Sequence, residues 1–304
     1  MRVDAHADLE AVLRRRRSRH VTRRNLPLTR LALRLLAGSR PVTGTSVTVH
    51  PDGPRQLRQI RRNGSTSDAA ILWIHGGGYV LGSPRQDDHH VSRLVRDLDV
   101  VAVSAHYRLA PAHPFPAALD DCHAAWRWVQ ERAGDLCVDP ARVVVAGASA
   151  GGGLAAALVQ RIRDEGGRQP LAQLLVYPML DDRTAARREL DDRFPEWTNR
   201  SNLTGWSAYL GREPGVDPLP EYAAPGRRAD LSGLPPAWIG VGTLDLFHDE
   251  DVDYARRLTA AGVPTTLDVV PGAFHGFDGS VPDALVSQAF ERRRNTWLRA
   301  VLAR

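Results

Sequence analysis

Short, almost uniformly apolar runs alternate along the chain with longer stretches that repeat apolar residues at helical spacing. The runs at 70–74, 100–104, 143–146, 171–176, 237–241 and 265–270 have the length and β-branched content of buried strands. Stretches such as 152–162, with its Leu-Ala-Ala-Ala-Leu-Val core, read as the helices between them. This alternation predicts an α/β fold with a mainly parallel central sheet flanked by helices. Two segments break it: residues 1 to about 44 are helical in pattern and rich in arginine, and residues about 181–235 are rich in Pro, Trp and Asp.

Two of the strands run directly into glycine-rich signatures. After 143–146 comes Gly147-Ala148-Ser149-Ala150-Gly151, the G-x-S-x-G form of a strand-to-helix turn that holds a serine hydroxyl exposed in a strained backbone. Ser149 is therefore the candidate nucleophile. After 70–74 comes His75-Gly76-Gly77-Gly78-Tyr79. Attack on a carbonyl builds negative charge on oxygen, and side-chain-free residues let main-chain N–H groups approach it. Gly76 and Gly77 are the predicted donors, joined by Ala150, whose N–H opens the helix after the nucleophile.

A serine nucleophile requires a base and a carboxylate that orients it. Of eleven histidines only His248 and His275 follow Ser149. His275 is bracketed by glycines just past the strand at 265–270, where sites of open α/β sheets lie; His248 starts a helical segment. His275 is the predicted base. The strand at 237–241 leads to Gly242-Thr243-Leu244-Asp245, which makes Asp245 the orienting acid. Asp249, Glu250 and Asp251 read as first-turn residues of the next helix, explained by capping and the helix dipole. Asp278 follows the histidine, against the order Ser, acid, His.

With these residues in place the chain resembles the hormone-sensitive-lipase-like, or bacterial family IV, esterases of the α/β-hydrolase fold. The likeness extends to Tyr107-Arg108-Leu109-Ala110-Pro111, to Tyr177-Pro178-Met179-Leu180-Asp181-Asp182 and to His275-Gly276-Phe277, so it spans most of the chain. It implies the triad Ser149, Asp245 and His275, with Gly76, Gly77 and Ala150 as oxyanion donors. It further implies one domain over 1–304, with 1–44 and 181–235 forming a helical cap. Trp197, Leu203, Trp206 and Tyr209 would either line that cap or fasten it to the core. The chain departs from the family at Ala148, where many members carry Asp, and at Leu246, where Pro is common; the second change is expected to loosen the loop of Asp245.

Composition narrows the picture further. The 304 residues are 43% hydrophobic, enough for one large core. Net charge is +5 and all forty basic residues are arginine. The arginines at 14–17, 23 and 24 read as a solvated helix face rather than a nucleic-acid surface or an export signal; in a cap they would bias the mouth toward anionic esters. Asp87-Asp88-His89-His90 reads as a helix start with capping acids, not a metal site. Cys122 and Cys137 read as buried free thiols. The expected protein is a cytoplasmic carboxylic ester hydrolase acting on a small-molecule ester without metal or organic cofactor, and the family resemblance implies short to medium acyl chains. No nucleic acid and no membrane span enter this reading, and the resemblance allows a homodimer. An amidase or formamidase, or a non-catalytic ligand-binding relative, would use the same framework.

Overall fold

A computed structural model describes residues 5–15, 20–36, 40–51, 55–191 and 194–303. Among them the strands are β1 (Thr45–His50), β2 (Leu57–Arg62), β3 (Ala70–Ile74), β4 (Val101–Ala105), β5 (Val143–Ala148), β6 (Ala172–Val176), β7 (Ala237–Leu244) and β8 (Thr265–Phe274). The helices are α1 (Ala7–Arg15), α2 (Leu26–Leu36), α3 (Asp88–Leu98), α4 (Ala117–Glu131), α5 (Ala150–Asp164), α6 (Arg183–Ala186), α7 (Asn199–Leu210), α8 (His248–Ala260), α9 (Phe277–Ser280) and α10 (Leu285–Leu302).

The strands form one sheet in the order β1-β2-β4-β3-β5-β6-β7-β8. From β4 to β8 neighbours run parallel, whereas β2 pairs antiparallel with both β1 and β4. Successive side chains of a strand point to opposite faces, and both faces are covered. Leu72 and Ile74 join a core with Leu119 of α4, Leu154 of α5 and Leu258 of α8. Ile71 and Trp73 join another with Leu94 of α3 and Phe290 and Leu298 of α10. Burial on both sides is why these strands read as continuous apolar runs rather than alternating ones.

The strand order fixes where chemistry can occur. From β3 the chain crosses to β4 on one side and then returns to β5 on the other, which opens a crevice at the carboxyl ends of β3 and β5. Ile74 is in register with Gly147. The loops that follow, one glycine-rich and the other carrying Ser149, therefore emerge side by side.

The β1–β2 hairpin is absent from the sequence reading. Its strands are partly polar, and Arg58 and Arg62 of β2 pair with Asp88 and Asp99, so it lacks a long apolar run. The first irregular segment contains α1 and α2, with 1–4, 16–19 and 37–39 outside the described residues. It meets the second directly: Val21 N–H donates to Ser201 Oγ at 2.9 Å, and His20 Nδ1 lies 2.9 Å from Thr198 Oγ1. Among the described residues no helix is long and apolar enough to cross a membrane.

Candidate active site

Ser149 sits between β5 and α5 at φ +57° and ψ −124°, a region that residues with a side chain avoid. Its N–H donates to the Val176 carbonyl at 2.9 Å, and its carbonyl accepts from the N–H groups of Gly153 and Met179, both at 3.0 Å. These bonds over-determine a conformation costing on the order of 1–3 kcal/mol. The turn is tight because glycine flanks it: a Cβ on Gly147 would lie 2.2 Å from the Gly151 carbonyl oxygen.

Asp245 follows β7 and is fully buried. One carboxylate oxygen accepts the Phe247 N–H at 2.9 Å; the other lies 2.8 Å from His275 Nδ1. A carboxylate only accepts, so it fixes the proton on Nδ1 and leaves Nε2 as the acceptor. Nε2 lies 2.9 Å from Ser149 Oγ. The imidazole is held edge-on between Tyr177 and Phe247, at centroid distances of 4.7 and 5.2 Å. Strand β8 runs up to Phe274, so His275 is attached to the sheet rather than to the longer loop the sequence suggested. Nor is the Asp245 loop slack for want of a proline: the Phe247 bond and a His248 N–H to Asp245 carbonyl bond of 3.2 Å pin it.

The glycine-rich loop abuts this turn, since a Cβ on Gly76 would lie 3.3 Å from that of Ser149. Among the described residues the N–H groups of Gly76, Gly77 and Ala150 have no hydrogen-bond acceptor. The Gly76 carbonyl accepts from His75 Nδ1 at 2.8 Å and Gln86 Nε2 at 3.3 Å. Because a trans peptide points its C=O and N–H in opposite directions, these bonds turn the Gly77 N–H away from His75 and Gln86. Burial holds the His75 pKa down to about 3, so the ring stays neutral, and the Gly76 carbonyl, which only accepts, sets its proton on Nδ1.

The alpha/beta hydrolase fold family matches residues 71–279. The chain belongs to this family. Carboxylesterase NlhH of Mycobacterium tuberculosis is 40% identical over 224 residues, covering 68% of this chain and 66% of that protein. Carboxylic ester hydrolase LipN of the same organism is 38% identical over 234 residues, covering 75% and 62%. In both cases the match spans under two thirds of the relative's length. A solved bacterial heroin esterase superposes at a TM-score of 0.90 with 33% identity, over 98% of each chain. The family resemblance drawn from the motifs, to the hormone-sensitive-lipase-like type, is thus shown.

The three carboxylates that the sequence assigned to the first turn of α8 do lie there, but their surroundings differ. Asp249 is exposed and lies 2.9 Å from His248 Nδ1. Glu250 is half-buried and accepts the N–H groups of Leu180 and Asp181 at 2.7 and 3.1 Å, with the Thr184 hydroxyl as a further donor. It ties α8 to the start of the 181–235 segment. Asp251 is fully buried, and neither of its oxygens has a hydrogen-bond donor among the described residues. Burial, then the charges of Glu250 and Asp245, push its pKa well above the usual carboxylate range.

That position carries a pH signature. As pH rises through the unfolded value near 4, Asp251 deprotonates in the unfolded chain first, so the folded state binds the extra proton and stability falls, by up to about 1.4 kcal/mol per pH unit. Asp251→Asn is expected to remove this slope. Chemical denaturation of both proteins between pH 4 and pH 8, as rough working limits, should show the variant gaining on the wild type as pH rises. Parallel curves would refute the assignment.

The Asp87-Asp88-His89-His90 cluster is dispersed. Asp87 accepts Trp73 Nε1–H at 2.7 Å and is raised by burial to about 6, Asp88 pairs with Arg58, and His90 lies against Trp73. Neither acid caps α3 through its side chain, contrary to the sequence reading. Among the described residues no group of three or more His, Cys, Asp or Glu could hold a metal ion. Cys122 is buried as expected, but Cys137 is exposed, because it lies in the turn beyond α4. Of the candidate cap aromatics, Trp206 and Tyr209 are buried and pack on Tyr79, with Tyr209 stacked at 4.0 Å.

Proposed function

We propose that the protein is a serine carboxylic ester hydrolase. The observation that carries this reading is the chain of contacts from Asp245 through His275 to Ser149, at 2.8 and 2.9 Å, beside three N–H groups with no acceptor among the described residues. Ser149 Oγ attacks the ester carbonyl carbon while its proton passes to His275 Nε2. The imidazolium so formed is stabilised by Asp245, and the carbonyl oxygen, now negative, is held by Gly76, Gly77 and Ala150. The tetrahedral adduct collapses, the alcohol leaves with the proton from His275, and an acyl-Ser149 remains. Water, deprotonated by the same imidazole, releases the carboxylic acid.

In this reading residues 1–44 and 181–235 form one cap on a single α/β-hydrolase domain. The contacts of His20 with Thr198, the residue capping α7, and of Val21 with Ser201 in α7 support it, as does the Trp197 ring, which would collide with a Cβ on Gly78 in the glycine-rich loop. A cap excludes water and strengthens the electrostatic contacts beneath it. Short to medium acyl chains follow from the family resemblance, and a cytoplasmic location suits the free, exposed Cys137.

The test combines labelling and turnover. A sulfonyl fluoride should inactivate the enzyme with one adduct per chain, located on Ser149 by peptide mass analysis. In a p-nitrophenyl ester series kcat/KM should be larger for acetate and butyrate than for laurate. An unlabelled protein inert toward every ester would exclude the proposal.

A further inference from the structure

Hydrolysis makes no use of the outer face of α2. Between Glu10 and Asp52 the sequence holds ten arginines and no carboxylate. Within that stretch α2 is anchored from one side: Leu26 is buried, and Arg30 donates to the carbonyls of Val80 and Ala110 at 2.8 and 2.6 Å. The opposite side presents Leu28 at 71% exposure and Leu31 at 54%. Leu28, Leu31 and Ala32 stand three and four residues apart, so they form one continuous exposed stripe. Arg23 and Arg24 are exposed in the turn leading into the helix, with no carboxylate partner among the described residues.

Leucines held out in water beside unpaired arginines have the composition of a helix that lies in a membrane interface, apolar side down and cations toward lipid phosphates. We propose that α2 docks the protein on anionic phospholipid surfaces, with Leu28 and Leu31 entering the headgroup boundary and Arg23 and Arg24 meeting the negative charge. Charge complementarity selects this partner, since the segment offers an anionic surface nothing to repel it. A nucleic acid would match the arginines but leave the leucines in water.

Co-sedimentation of the full chain with vesicles tests this. The protein should pellet with phosphatidylcholine vesicles containing phosphatidylglycerol, remain in solution with phosphatidylcholine alone, and be released by added salt. Leu28→Glu/Leu31→Glu should lower the bound fraction by about tenfold or more. Arg23→Gln/Arg24→Gln should weaken binding by about fivefold per arginine. Both variants should keep wild-type turnover of a soluble p-nitrophenyl ester, which also reports that they fold. Binding that ignores lipid charge, or that survives either double substitution, would overturn the proposal. So would preference for duplex DNA over vesicles, or a dimer that Leu28→Glu/Leu31→Glu converts to monomer.

Discussion

Ser149→Ala is expected to lower kcat toward a p-nitrophenyl ester by about 10⁶-fold, with melting temperature almost unchanged. Loss of the nucleophile removes the covalent route entirely, and deletions of this kind in a serine triad cost about as much as deleting the whole triad. What should remain is a residual rate of about 10³–10⁴ over water, from the glycine-rich loop and binding alone. Stability should hardly move because alanine at φ +57° carries the same backbone strain as serine. Ser149→Gly should be equally inactive yet more stable by about 1–2 kcal/mol, since glycine relieves that strain. The pair separates chemistry from folding: a Ser149→Gly protein no more stable than wild type would show that the turn is unstrained. A Ser149→Ala protein retaining more than a hundredth of wild-type turnover would show that another group attacks.

Much of this site was legible because its parts are local. A serine turn, a glycine loop and an acid placed just past a strand are each written within a few consecutive residues, and the parallel sheet then aligns their strand ends. The antiparallel hairpin was not legible, because edge strands whose arginines pair with α3 and the residue after it carry no apolar signature. The roles of Glu250 and Asp251 were hidden for a related reason. In sequence both are acids in a first helical turn, whereas their chemistry depends on elements folded over them, Leu180 to Thr184 for Glu250 and complete burial without a hydrogen-bond donor for Asp251. Burial is a long-range property, and a local pattern of charge does not encode it.

Gly151→Ala should be among the most damaging single methyl groups in the molecule. Its Cβ would lie 2.1 Å from the Ile74 carbonyl oxygen and 2.5 Å from that of His75. Both obstacles are backbone, so no rotamer change can make room; α5 must move away from the end of β3. That motion separates Ser149 from Gly76 and Gly77, because the loop bearing them starts at His75. Overpacking against main chain is expected to cost about 3 kcal/mol or more, seen as a melting temperature lower by about 5–10 °C. Loss of oxyanion alignment should lower kcat by about 10²–10³ with a smaller change in KM, since the strained hydrogen bonds form in the transition state rather than on binding. Gly134→Ala is the control: nothing lies within 4 Å of its Cβ, so it should be neutral or stabilising by about 0.4–1 kcal/mol. A Gly151→Ala enzyme with wild-type kcat and melting temperature would mean that the close approach of α5 to β3 is not what aligns the nucleophile with its oxyanion donors.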